Sequence, residues 1–231
     1  MQHMDPHRYR CRSVENVMGE LRFIKTQMPF VKQVFFQEGT LIPSHAKELS
    51  EAILESDLDV CWGAYSRADV PRDILELMKQ AGCRTLHIGY ETPIQRYLGL
   101  IQKDISVEQM TMFAKNIKDL DMWTSATFML FPWETPEEIR YTINWAKKIR
   151  PKRMNFIQAQ AYPNTPYANT LQGMKGRKLM GFEEMKKWEQ WGFKQFYLYN
   201  LHFWWEVLKN PSEWKNVIKD ALGLVKFLEE K

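Results

Sequence analysis

Cysteine is scarce: Cys11, Cys61 and Cys83 are the only three in 231 residues. An odd number of widely spaced thiols excludes a disulfide framework and predicts a reducing, cytoplasmic setting. No CxxC or CxxxCxxC spacing occurs, so the chain by itself presents no thiolate set for zinc or an iron–sulfur cluster. Runs of the roughly 18 apolar residues needed to span a membrane are missing. The polar start MQHMDPHRYRCR carries no apolar h-region, so no signal peptide is read there. Nor is one sign of charge in excess. Lys plus Arg is 32 and Asp plus Glu is 28, a net of +4, too thin for a nucleic-acid footprint. The basic cluster KKIRPKR at 147–153 reads as a solvated helix end. Beyond an alternation of strands and helices, no internal repeat is visible.

What remains is a globular chain. Apolar residues make up 45% and charged residues 26%, which supports a core and excludes a disordered or collagen-like chain. The length predicts one large domain, or one domain with an appendage. Ser13 can cap a helix with Val14, Val17, Met18, Leu21 and Ile24 on one stripe. VKQVFFQ (31–37) reads as a strand, and Ser44 opens a helix with Ala46, Leu49, Ala52 and Ile53 inward. DVCWGAYS (59–66) is a strand. Pro71 suits the first turn of a helix ending near Gly82, CRTLHIGYE (83–91) is a strand, and a short helix fits 93–101. Ser106 with Gln109, and Thr135 with Glu138, form capping boxes for two further helices. These flank the strand MWTSATFML (122–130), and RMNFIQAQ (153–160) is a fifth strand. After Pro163 the pattern breaks. Residues 164–181 read as a loop and 182–231 as helical, with Trp188, Trp191, Trp204, Trp205 and Trp214 more in keeping with packing than with a ligand box.

Alternating strands and helices predict right-handed βαβ units and a parallel sheet. No Gly-rich phosphate loop follows the first strand, which disfavours a dinucleotide fold. A complete eight-stranded barrel needs about 250 residues, so five strands predict a partial barrel. In such a fold, ligands bind at the carboxyl ends of the strands. Those ends carry Gln37, Glu38, Gly39 and Thr40; then Tyr65, Ser66 and Arg67; then Gly89, Tyr90 and Glu91; then Phe131 to Glu134; then Gln158, Gln160 and Tyr162. A polar group from every strand predicts a ligand with hydroxyl, amine and carboxylate groups. Each group also has a plainer role. Glu38 can serve a turn, and Arg67 can pair with Asp69 as readily as with a ligand carboxylate. Glu134 can favour the following helix N-terminus. His87 reads as a satisfied core histidine, Cys61 and Cys83 as core thiols, and Cys11 as a surface thiol.

The ordered segments RYRCRSVENVMGEL, VFFQEGT, DVCWGAYSRAD, ILELMKQAGCRTLHIGYET, ISVEQM, ATFMLFPWETPEEI and AYPNTPYANTL resemble the radical SAM domain found behind a cobalamin-binding domain. The likeness covers about residues 8–172. It implies a partial (β/α)6-type TIM barrel over 1–172, here without its first strand, followed by a helical, aromatic-rich extension over 173–231. It also implies S-adenosylmethionine as cofactor, a four-iron four-sulfur cluster on a CxxxCxxC loop after the first strand, and cobalamin held by an N-terminal domain that would contact this one. By resemblance, Gln37, Glu38, Gly39 and Thr40 lie where the methionine amino group is met. Ser66 and Arg67 lie near its carboxylate or the ribose, and Glu91 in Gly89-Tyr90-Glu91 resembles the ribose-binding acid. Met129 to Glu134 and Gln158 fall near the adenine.

Two departures stand out. The cluster loop is absent, and the family's Gly-Leu-Pro-Gly-Glu-Thr-like turn is Leu130-Phe131-Pro132-Trp133-Glu134-Thr135, without either glycine. The expected function is therefore that of the C-terminal part of a radical SAM catalytic domain, for methyl transfer or radical rearrangement of a small-molecule substrate. On its own the chain is expected to be inactive, with no nucleic acid or membrane as partner. The alternatives are a cluster-less module binding a nucleotide-like ligand or a protein partner, and a partial-barrel hydrolase pairing two of Glu38, Glu91 and Glu134.

Overall fold

The computed structural model describes residues 11–209, apart from 164, 175 and 177. Its elements are α1 (Val14–Gln27), β1 (Val34–Leu41), α2 (Pro43–Leu54), β2 (Trp62–Ser66), α3 (Arg72–Gln80), β3 (Cys83–Glu91), α4 (Gln95–Leu100), α5 (Val107–Asp119), β4 (Trp123–Leu130), α6 (Pro136–Ile149), β5 (Arg153–Gln158), α7 (Pro166–Gly173), α8 (Phe182–Phe193), a π-helical turn (Lys194–Leu198) and α9 (Leu201–Lys209). Local chemistry explains most boundaries. The Ser13 side chain accepts the Asn16 N–H at the start of α1. Both capping boxes form, Ser106 with Gln109 on α5 and Thr135 with Glu138 on α6, each satisfying two otherwise orphaned donors. Helix α2 begins one residue earlier than Ser44 suggests, with Pro43 in its first turn and no side-chain cap. Pro71 sits at the N-cap of α3.

The strands form one parallel sheet in the order β1-β2-β3-β4-β5. When chain order equals spatial order, right-handed crossovers lay the connecting helices on one face. The burial pattern agrees. Trp62 and Ala64, Leu86 and Ile88, Ala126 and Phe128, and Met154 and Phe156 are all fully buried in a core shared with Leu21 of α1, Leu49 of α2, Leu75 of α3, Phe113 of α5 and Ile143 of α6. The alternate residues, Tyr65, His87, Trp123 and Ile157 among them, stay partly accessible on the opposite face. That inner face is the concave side of a partial barrel.

Two expectations need correction. Strand β1 does not span 31–37; it runs from Val34 to Leu41, so Glu38 to Thr40 also lie within the strand. Residues 164–181 are not all loop, because Thr165 caps the Ala168 N–H and starts α7. The segment after residue 181 belongs to the same core. Trp188, Trp191 and Tyr197 pack against it and Phe196 is buried within it. Tyr197 Oη accepts the Met154 N–H at 2.8 Å and donates to the Met154 carbonyl at 2.9 Å, closing part of the edge that β5 leaves open. Trp205 is exposed, while Trp214 and the expected helix beyond residue 209 lie outside the described residues.

Candidate functional site

The carboxyl rim is shaped by two irregularities in the ladder. Between Phe36, paired with Ala64, and Leu41, paired with Ser66, β1 advances five residues while β2 advances two. The surplus releases Gln37 to Thr40 from regular pairing, the way bulges re-aim side chains beside active sites. Gln37 and Gly39 are exposed, and the Thr40 hydroxyl donates to the Gly39 carbonyl. The side chain of Glu38 lies outside the described part of the structure.

The second irregularity lies between Gly89, paired with Thr127, and Glu91, paired with Phe128. Here Glu91 takes φ = 63°, a left-handed conformation that costs a side-chain-bearing residue about 1–2 kcal/mol and that clusters at functional sites. Its carboxylate folds back over Gly89, where a Cβ would stand 2.4 Å from Glu91 Oε1. Only glycine leaves that space. Lys103 completes the group, with Nζ 2.9 Å from Glu91 Oε1 and donating to the Gly89 carbonyl. Both side chains are about five-sixths buried, so the pair is held rather than solvated.

The loop bearing Lys103 is itself anchored. Arg67 donates from Nη2 to the Asp104 carbonyl at 2.8 Å and from Nε to Asp69 Oδ2 at 2.8 Å. The structure thus engages Arg67 within the protein, by the Asp69 pairing the sequence offers. Ser66 is buried, with its hydroxyl on the Arg67 carbonyl. Met129 packs beside Phe131, Trp133 and Tyr167. Gln158 donates to Glu189 Oε2 at 3.2 Å, and burial raises the Glu189 carboxyl above the ordinary range.

Glu134 is structural. It is 4% exposed; Oε2 accepts the Phe131 N–H at 2.8 Å, and Oε1 has no partner. Burial pushes its pKa up to about 7, against the opposing pull of the Phe131 N–H and then of Arg96. Tyr97 lies near Trp133, which stacks on Phe131 at 5.0 Å and lies 5.4 Å from Tyr167. The turn that glycines would open is therefore filled by rings. With Glu134 enclosed and Glu91 paired to Lys103, no free carboxylate pair for a hydrolase faces the rim among the described residues.

His87 corrects the core-histidine expectation. It is only half-buried, stands on the inner face, and has no hydrogen-bond partner among the described residues. Cys83 is buried and its thiol is pushed up to about 12 by desolvation, Cys61 is half-buried, and Cys11 is exposed. Among the described residues no three His, Cys, Asp or Glu converge on a point that could hold a metal ion, and no helix is long and apolar enough to cross a membrane.

Residues 2–146 match the Radical SAM superfamily. The chain belongs to that superfamily. Among its relatives is an uncharacterized methyltransferase of Pyrococcus horikoshii, PH0819, 32% identical over 190 residues that span 78% of this chain and 41% of that protein. The anaerobic magnesium-protoporphyrin IX monomethyl ester cyclase of Rubrivivax gelatinosus is 28% identical over 67% of this chain and 29% of its own length. The fold matches that of the radical S-adenosylmethionine methyltransferase TsrM from Kitasatospora setae, solved with cobalamin and a [4Fe-4S] cluster, at a TM-score of 0.63 and 18% identity over 72% of this chain and 35% of that one. The chain thus spans less than half the length of these relatives. For a radical SAM fold the parallel sheet is the expected partial barrel.

Lys103 and Glu189 escape a reading of the sequence alone. Lys103 lies twelve residues from Glu91 in a stretch without periodicity. Glu189 lies on a helix that its aromatic pattern assigns to packing.

Proposed function

We propose that the chain is the C-terminal part of a radical SAM catalytic domain and binds S-adenosylmethionine at the rim. The observation that carries this reading is Glu91, held in a left-handed conformation at the bulged end of β3 with Lys103 Nζ 2.9 Å away. The Glu91 carboxylate would accept hydrogen bonds from the ribose hydroxyls, and the Lys103 ammonium would pair with the methionine carboxylate. Gln37 and the exposed backbone about Gly39 would meet the amino group. Ser66 and Arg67 would support that side through the Asp104 loop, and Met129 and Gln158 would flank the adenine. S-adenosylmethionine supplies a transferable methyl group or, on homolysis, a 5′-deoxyadenosyl radical.

The names of PH0819 and TsrM favour methyl transfer to a small-molecule substrate over rearrangement. A cobalamin-binding domain outside these residues is the proposed partner. The residues of this chain do not fit a four-iron four-sulfur cluster, since no cysteine set is present. The chain alone is expected to bind without turnover. Equilibrium dialysis with radiolabelled S-adenosylmethionine tests the reading. Saturable binding weakened about tenfold by Glu91→Gln is expected, since a hydrogen bond to a charged group contributes about 1.5–3 kcal/mol. Binding that is absent, or that Glu91→Gln leaves unchanged, overturns it. A stoichiometric, redox-active cluster formed on this chain with iron and sulfide would overturn the expectation of inactivity.

A further inference from the structure

Below the rim, the inner face carries a continuous row of rings. Phe35 stands 5.2 Å from Tyr65 and 4.7 Å from His87, Tyr65 stands 5.4 Å from His87, and His87 stands 6.4 Å from Trp123. The register explains the continuity. Phe35 faces Gly63, Tyr65 faces His87, His87 faces Ser125 and Ser125 faces Arg153 across five neighbouring strands. Gly63 makes room for it, since a Cβ there would meet Phe35 at 3.0 Å and the Thr85 carbonyl at 2.7 Å. Parallel sheets are ordinarily apolar and covered on both faces, yet Tyr65 is 38% exposed and Arg153 is exposed with its guanidinium over Trp123 at 5.6 Å.

We propose that this row is the substrate platform and that the substrate is a flat aromatic or heteroaromatic small molecule bearing an anionic group, its ring on Tyr65, His87 and Trp123 and its charge toward Arg153. Three features argue for that occupant. Ring faces and edges reward a flat partner over a saturated one. A guanidinium at one end of the row complements an anion. The platform also lies on the face of β3 shared by His87 and Gly89, over which the Glu91 carboxylate folds back, so a bound ring extends toward the cofactor site. Burial, then Arg153, lowers the His87 pKa below the ordinary imidazole value. The ring is therefore neutral at pH 7 and can accept one hydrogen bond and donate another.

The proposal deepens the S-adenosylmethionine reading by naming the substrate class, and the test separates the two. Calorimetric titration of the full chain uses 2-naphthoate, its saturated counterpart decahydro-2-naphthoate, and S-adenosylmethionine. We expect 2-naphthoate to bind at least tenfold more tightly than the saturated acid. Tyr65→Leu and Trp123→Leu should each weaken it about three- to tenfold, with S-adenosylmethionine binding unchanged. The comparison of flat and saturated acids needs no variant and stands even if one misfolds. Equal binding of the two acids, or no 2-naphthoate binding by protein that still takes S-adenosylmethionine, overturns the platform. A concentration-dependent dimer abolished by Tyr65→Leu overturns it as well, by giving the face to a second copy.

Discussion

Replacing Glu134 by Gln should flatten a pH dependence of stability that the buried carboxyl creates. In the folded protein this group titrates near 7 rather than its ordinary 4.5 because burial disfavours its charged form. Between those two values the native state holds a proton that the unfolded state has released. Stability therefore falls as pH rises, by about 1.4 kcal/mol per pH unit for one proton. Over roughly two and a half units the loss is about 3 kcal/mol; the stability is present in full below pH 4.5 and lost above about pH 8. In Glu134→Gln the side-chain oxygen can still accept the Phe131 N–H, so the variant differs by a constant offset and lacks this slope. Urea unfolding of both proteins at intervals from pH 4.5 to 8.5 reads it directly. The wild type should lose about 3 kcal/mol relative to the variant across the range, most of it between pH 5 and 7. Parallel curves would refute the reasoning, because they would mean that Glu134 titrates as an ordinary carboxyl and is solvated.

Lys103→Met should strand the largely buried Glu91 charge, cost about 1–3 kcal/mol of stability and weaken S-adenosylmethionine binding by dialysis; unchanged values on both counts would remove Lys103 from the site. Tyr197→Phe should cost about 1–3 kcal/mol and speed amide exchange at Met154, whose N–H it leaves without its phenol acceptor. Gly192→Ala sets helix propensity against packing. A Cβ would stand 2.7 Å from Phe156 Cδ2 and 3.2 Å from Ile143 Cδ1, and both residues are buried, so a loss of about 1–3 kcal/mol is expected although alanine is the better helix former. A raised urea midpoint would contradict it.

The helices and strands were largely legible because their signals are local. The Ser106–Gln109 and Thr135–Glu138 boxes state where α5 and α6 begin, and apolar spacing states which faces point inward. Glu91 was legible as a candidate because it closes an apolar strand with a charge. What sequence could not reveal is tertiary. The bulge that keeps Gln37 to Thr40 inside β1 is a mismatch of advance between two strands. The Glu91–Lys103 pair joins a strand end to a loop, and the platform under His87 is assembled across four strands, one residue from each. His87 in particular has the same local context on an open face as in a core, so alternation alone assigns it no environment.

The superfamily match covers residues 2–146, yet β5 begins at Arg153 and Phe196 is buried with Phe156 in the common core. The Met180 N–H also donates to the Pro132 carbonyl at 2.7 Å, tying the segment before α8 to the turn that holds Glu134. The limit of the superfamily match and the limit of the shared core are thus different places in this chain. A piece cut at the former would lose the last strand and the phenol that closes its edge. The packing positions after residue 146 thus belong to the same core as those before it.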